Sequence, residues 1–225
     1  MKPFILLLTL IFMLCSYEYA EASNTLLTPE LKREITEKME KLKNIEKPGL
    51  RSPEELAQEL FFHLVINSTL ITICEPIIKE SDKQKRKEKI DFAEMTIVDI
   101  LKNPDLQKVP AYEKSLAYLM LINLANLKND RKKANEYNKL AFENIQRGLS
   151  YYSRINESPV AKFNILLFKA SMRDFFNLKV DTSPDEELEM ANITQKYPLL
   201  KERLQSIAVN FSILNSLYNL KTKNK

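Results

Sequence analysis

The sequence predicts an all-α fold of about seven helices, stacked as antiparallel hairpins, from three observations. Only two glycines, Gly49 and Gly148, occur in 225 residues, where about 7% would be usual and where sheet turns and bulges would need more. Hydroxyl-proline-acid steps recur at Thr28-Pro29-Glu30, Ser52-Pro53-Glu54-Glu55, Ser158-Pro159 and Ser183-Pro184-Asp185-Glu186. In each, a hydroxyl accepts from free first-turn amides, and the proline next to it loses no hydrogen bond. Apolar residues then return at steps of three and four.

Taken in order, Leu31, Ile35, Met39, Leu42 and Ile45 make a narrow seam on a helix over about 29–46, stopped by Pro48-Gly49. A second helix over about 53–75 starts from a Ser52/Glu55 capping-box pair. Its "LVINSTLITI" is β-branched, but the strong cap and the length favour helix, with Pro76 expected to end or kink it. Beyond the charged "KESDKQKRKEK", Ile90, Ala93, Ile97, Ile100 and Leu101 predict a helix over 85–103. "SLAYLMLINLANL" within 111–128 is apolar on nearly all sides, so it belongs between other elements. After Asn129-Asp130 a partner helix carries Ala134, Tyr137, Ala141 and Ile145 on one stripe. Helices over 159–178, 184–197 and 199–221 complete the chain, the last with Leu200, Leu204, Ile207, Phe211, Leu214 and Tyr218 as a seam.

Residues 1–22 have the pattern of a secretory leader: Lys2, an apolar run from Phe4 to Leu14, and Ala20-Glu21-Ala22. The run is too short to span a bilayer with the usual margin. Cleavage before Ser23 would move the net charge from +4 to +5. The competing reading is a lipoprotein anchored at Cys15, which closes the apolar run. With the leader gone, Cys74 is the sole cysteine and no internal disulfide can form. The expected organisation is a leader over 1–22, an amphipathic helix over 23–50 and a single helical domain over 51–225.

Residues 115–148 resemble the tetratricopeptide-repeat family through Leu121, the Asn129-Asp130 turn, and the small residues Ala134 and Ala141 where two helices touch. Tyr118 stands at that family's tryptophan position. The resemblance implies stacked helix-turn-helix units of about 34 residues with a concave face for a partner. The hairpins open near 53, 111 and 159, so the spacing is not constant, and an irregular helical bundle is the alternative.

Scarcity excludes several chemistries. Phosphate-binding loops, dinucleotide fingerprints and nucleophile elbows need clustered glycines. One histidine, His63, rules out His-pair metal motifs, and one mature cysteine leaves no thiolate zinc site. Glu59 and Asn67 lie four residues either side of His63, and a buried ring satisfied by a neighbour is expected there. No cofactor and no metal are expected. The expected function is non-enzymatic: an exported periplasmic or secreted module holding a protein or peptide partner, or its own copy, through Tyr118, Asn123 and Asn126. An exported enzyme cutting an envelope polymer with two carboxylates is the alternative. Lys83, Lys85, Arg86, Lys87 and Lys89 form a basic run suited to peripheral contact with anionic lipid; nucleic acid is not expected. Four N-x-[ST] sequons occur, of which Asn67 and Asn210 fall on apolar helices with no room for a glycan.

Overall fold

The computed structural model describes residues 29–46, 49–102, 109–176 and 184–223. Among them the chain is all helix: α1 (Pro29–Ile45), α2 (Pro53–Phe61), α3 (Asn67–Lys79), α4 (Lys83–Lys102), α5 (Tyr112–Leu127), α6 (Arg131–Ser153), α7 (Pro159–Phe176), α8 (Pro184–Lys196) and α9 (Pro198–Lys223). A π-helical turn over Phe62–Ile66 joins α2 to α3 without a break, so the described residues form eight continuous helices, close to the expected count.

The helix starts obey local chemistry. Ser52 accepts from the Glu55 amide while the Glu55 carboxylate accepts from the Ser52 amide, a complete capping box. Ser158 accepts from the amides of Val160 and Ala161. Thr28 and Ser183 lie outside the described residues. Between α5 and α6, Asn129 takes a positive φ of 59°, and the amides of Asn129 and Asp130 reach back to the carbonyls of Asn126 and Ala125. That pairing is a Schellman stop. Asp130 then caps α6, accepting from the Lys133 amide at 3.0 Å, so one residue closes one helix and opens the next.

Pro76 does not end the helix: α3 runs on to Lys79. Pro76 is exposed one turn from the end, where water can satisfy the carbonyl it leaves unpaired. Cys74 and Ile77, both fully buried, pin that last turn to the core.

The nearly all-apolar α5 is the central strut, as its composition predicts, packed by α4, α6, α7, α9 and the π turn. Ala134 and Ala141 of α6 are buried in the hairpin. Gly148 lets α6 approach α7 so closely that a Cβ there would lie 2.3 Å from the Phe168 ring. The C-terminal α9 returns to pack on α3 and α5 and touches α1. Contacts therefore reach beyond neighbouring pairs, and the architecture is a closed helical bundle. α1 packs on the edge of this bundle, with Met39 and Leu42 buried and Lys38 paired to Glu202 of α9 at 2.7 Å.

The segment Gln58–Lys79 is long and apolar enough to cross a membrane, at a mean hydropathy of 1.6. About half of that segment is buried within the bundle, and it carries the buried Glu59.

Candidate functional site: a polar cleft beside a buried ion network

Three helices and the turn before α2 converge on Glu59 of α2. One carboxylate oxygen accepts from Asn164 of α7 at 2.7 Å and from Arg203 of α9; the other accepts from Tyr152 of α6 at 3.1 Å and from Arg51. Arg203 also grips Glu113 of α5 with a two-pronged fork, at 2.6 and 2.8 Å, and donates to Asn164 at 3.0 Å. Arg51, in the turn after Gly49, continues the chain to Glu46 at the end of α1. Bidentate guanidinium-carboxylate pairs are among the strongest hydrogen-bonded arrangements available to side chains. Burial alone would push the Glu59 carboxyl up, but Arg51 and Arg203 outweigh it and hold the group well below the usual carboxylate range. Burial likewise disfavours the charged Arg203, and Glu113 and Glu59 outweigh that, so its pKa is raised.

His63 sits beside this network, in the π turn, and is 4% exposed. Neither ring nitrogen has a hydrogen-bond partner among the described residues, so the expected satisfaction by a neighbour does not hold. Glu59 is taken by the arginines. The nearest carboxylate oxygen belongs to Glu113, 4.0 Å from Nδ1, and is already neutralised by Arg203. Burial first, then Arg203 and Lys38, push the imidazole pKa down to about 3, so the ring is neutral at physiological pH.

The π turn sets the direction of the side chains beyond it. A wider turn rotates them relative to a regular α-helix, and such turns recur at functional sites. Here His63 and Asn67 together line a cleft of about 420 Å³ between α1, α3 and α9, with Lys38, Ile71, Glu202 and Val209 around it. Asn67 is 2% exposed, and its Nδ2 also lacks a partner among the described residues. Its Oδ1 accepts from Asn210 of α9 at 3.0 Å, and Asn210 donates in turn to the Ser206 carbonyl at 3.1 Å.

The residues expected to bind a partner are placed elsewhere and are not brought together. Tyr118, Asn123 and Asn126 are half-buried on α5. Asn123 donates to the Leu119 carbonyl of its own helix, and Asn126 accepts from Lys221 of α9 at 2.9 Å. Of the basic run, Lys83, Lys85 and Lys87 are exposed, whereas Arg86 holds the Glu80 carbonyl and Lys89 the Glu80 carboxylate. Cys15 lies outside the described residues. Cys74 is fully buried, and burial pushes its thiol up to about 12. Both Asn67 and Asn210 are buried, so neither sequon can carry a glycan in this fold. Among the described residues no group of three His, Cys, Asp or Glu side chains is placed to hold a metal.

No family model matches the chain. Among curated proteins it is 31% identical over 146 residues to Enhancer of translation termination 1 of Scheffersomyces stipitis, an alignment covering 64% of this chain. The chain spans 28% of that relative's length. No solved structure matches.

Sequence reasoning singles out His63 and its neighbours Glu59 and Asn67 but misses the network and the cleft. A signal for the network is present: Glu113 and Asn164 each interrupt an otherwise apolar stripe.

Proposed function

We propose that the chain is an exported, non-enzymatic helical module that holds a protein or peptide partner, with the cleft at the π turn as its seat. The observation carrying this reading is the pair His63 and Asn67. Both residues line an open cleft, and both hold sealed polar atoms that have no partner among the described residues, an uncommon and costly state. A ligand that opens the wall of the cleft as it enters would supply the missing hydrogen bonds and recover that cost.

Catalysis has less support. Glu59 and Glu113 are gripped by guanidinium groups and sealed from solvent, so they make poor acid-base candidates for cutting a polymer. Among the described residues no hydroxyl lies within hydrogen-bonding reach of His63 to serve as an activated nucleophile. A basic lipid-facing surface is narrowed to Lys83, Lys85 and Lys87, since Arg86 and Lys89 are engaged internally.

Titration with a panel of uncharged peptides, N-acetylated sugars and nucleosides, monitored through the His63 imidazole NMR signal, tests the seat. The uncharged peptides are expected to shift that signal saturably, and silence from them, or a shift from the sugars or nucleosides alone, would remove the reading. Export is read from the mature N-terminus by mass spectrometry, expected at Ser23. A lipid-modified Cys15 would make the module membrane-anchored. A retained leader would favour a second reading, a role in translation termination, which rests on the name of the similar protein.

A further inference from the structure

We propose that the end of the bundle where α4 begins and α5 turns into α6 docks on an anionic lipid surface, with Phe92 and Met95 as its apolar foothold. This surface is separate from the cleft and goes beyond the module reading.

Charge is the first observation. Residues 80–94 and 128–136 together with Lys221 hold ten basic and seven acidic side chains, a surplus of three out of the whole chain's +4. Most of the net charge is thus concentrated here, where its field adds up. Side-chain contacts bring these segments together: Lys128 pairs with Asp91 at 2.5 Å and with Glu94 at 2.8 Å, Lys133 pairs with Glu94 at 2.8 Å, and Lys221 donates to Asn126 at 2.9 Å. The α5–α6 turn and the end of α9 therefore lie beside the first half of α4.

The engagement of the acids is the second. Glu80 is paired with Lys89 at 2.6 Å, Asp91 and Glu94 are paired with Lys128, and Asp82 and Asp130 accept from the amides of Lys85 and Lys133 at 2.8 and 3.0 Å. Lys83, Lys85, Lys87, Arg131 and Lys132 are exposed, and none of them forms an ion pair among the described residues. Glu88, which accepts from Gln84 at 3.0 Å, lies among them, and Glu136 lies beyond them on α6; both oppose the attraction.

An apolar pair is the third. Phe92 and Met95 are 52% and 53% exposed, on the outward stripe that Lys85 and Glu88 begin and opposite the buried Ile90, Ala93 and Ile97. Cations alone would fit any polyanion. A bilayer takes both features: its phosphates meet the basic heads, and the apolar pair sinks below them while the lysine stems reach upward. A nucleic-acid backbone would meet the charges and leave Met95 in water.

The test mixes the full chain with vesicles of phosphatidylcholine alone and of equal parts phosphatidylcholine and phosphatidylglycerol, at low and high salt. Residues 1–28 are common to every variant, so their contribution cancels in the ratios. The chain has no tryptophan, so Phe92→Trp places a single reporter at the foothold, with Leu188→Trp, 61% exposed on α8, as its control. On the acidic vesicles the Phe92→Trp emission is expected to move to the blue and to escape an aqueous quencher, while the Leu188→Trp emission stays unchanged. Sedimentation should weaken with salt. It should also weaken about twentyfold for Lys85→Gln with Lys87→Gln, and as much for Arg131→Gln with Lys132→Gln, at about fivefold per charge. Glu88→Gln should strengthen it about fivefold. All five side chains are exposed, so melting temperatures should match the wild type. Equal sedimentation with both vesicles, an unshifted Phe92→Trp, or either double variant sedimenting as the wild type overturns the inference. Tighter binding to transfer RNA than to the acidic vesicles, with no blue shift, assigns the surface to nucleic acid and overturns it as well.

Discussion

Glu59 and Glu94 are built alike and placed oppositely. Glu59 accepts from Arg51, Arg203, Asn164 and Tyr152, and Glu94 of α4 accepts from Lys128, Lys133 and Tyr137 at 2.8 to 3.0 Å. Each carboxylate ties together helices distant in sequence. The first lies in the core with buried arginines as partners, while the second, itself only 5% exposed, is held by lysines whose side chains are 26% and 45% exposed. Sealed guanidinium forks have fixed geometry and no water to replace a lost partner. Solvated ammonium groups lose little when a carboxylate is removed. Glu59 is therefore a keystone, and Glu94 a replaceable clasp.

The largest test of this contrast is Arg203→Met. It leaves Glu113 without its fork and Glu59 without one of two guanidiniums, and stranding a buried charge costs about 3–5 kcal/mol. Urea denaturation at pH 7 should show a loss of that order. The double variant Glu113→Leu with Arg203→Met removes the stranded carboxylate as well and should recover part of the loss, because an apolar replacement of a buried pair can be close to neutral. A single-variant loss below about 1 kcal/mol would put the core network on the same footing as the surface clasp.

Acid sharpens the contrast on a smaller scale. The His63 ring, ordinarily near 6.5, is pushed down to about 3 in the fold. The unfolded chain thus takes up a proton below about pH 6.5 that the folded chain refuses. Stability from the neutral ring is full above that pH and falls as pH drops from 6.5 toward 3, by at most about 1.4 kcal/mol per unit. The depressed Glu59 carboxyl acts in the same direction at lower pH, its contribution being lost as pH falls below the ordinary 4.5. Urea midpoints at pH 7 and pH 5 should differ by up to about 2 kcal/mol in the wild type. His63→Leu should flatten most of that interval, and an unchanged slope would assign the acid sensitivity to other groups.

How much is legible in the sequence depends on how local the cause is. Ser52, Ser158 and Asp130 act on amides two or three residues away, so their helix starts can be read directly, as can the central place of the all-apolar α5. Pro76 misleads because the decisive contribution is tertiary: the burial of Cys74 and Ile77 outweighs one missing hydrogen bond. The network is hidden because Arg203 meets Glu59 across 144 positions, and an acid on an apolar stripe announces an anomaly without naming its partner. Asn126 looks available on α5 because nothing near it in sequence shows that α9 returns to lay Lys221 against it. His63 stands out as the chain's single histidine, and Asn67 as its neighbour one turn on. The unpartnered state of both depends on Asn210 and on the π turn, which no periodicity betrays.

The smallest effect completes the contrast. Glu94→Gln keeps the shape of the side chain and one acceptor for Tyr137, removing only the charge that Lys128 and Lys133 share. Lys128 retains Asp91 at 2.5 Å, and Lys133, nearly half-exposed, can turn to water. Pairs whose ammonium end is solvated are worth about 0.2–1 kcal/mol, and Gln keeps the buried side chain uncharged and hydrogen-bonded, so the variant should lose about 1 kcal/mol or less in urea at low ionic strength. That loss should shrink as salt rises toward 1 M, where the screening length falls to about 3 Å. Repeating the measurement on Arg203→Met at the same two salt concentrations separates the regimes: its larger loss should persist, since no ions penetrate the core to screen Glu113. Should the Glu94 variant lose as much as the Arg203 variant and ignore salt, the clasp would be holding α4 to the hairpin as firmly as the core network holds the bundle.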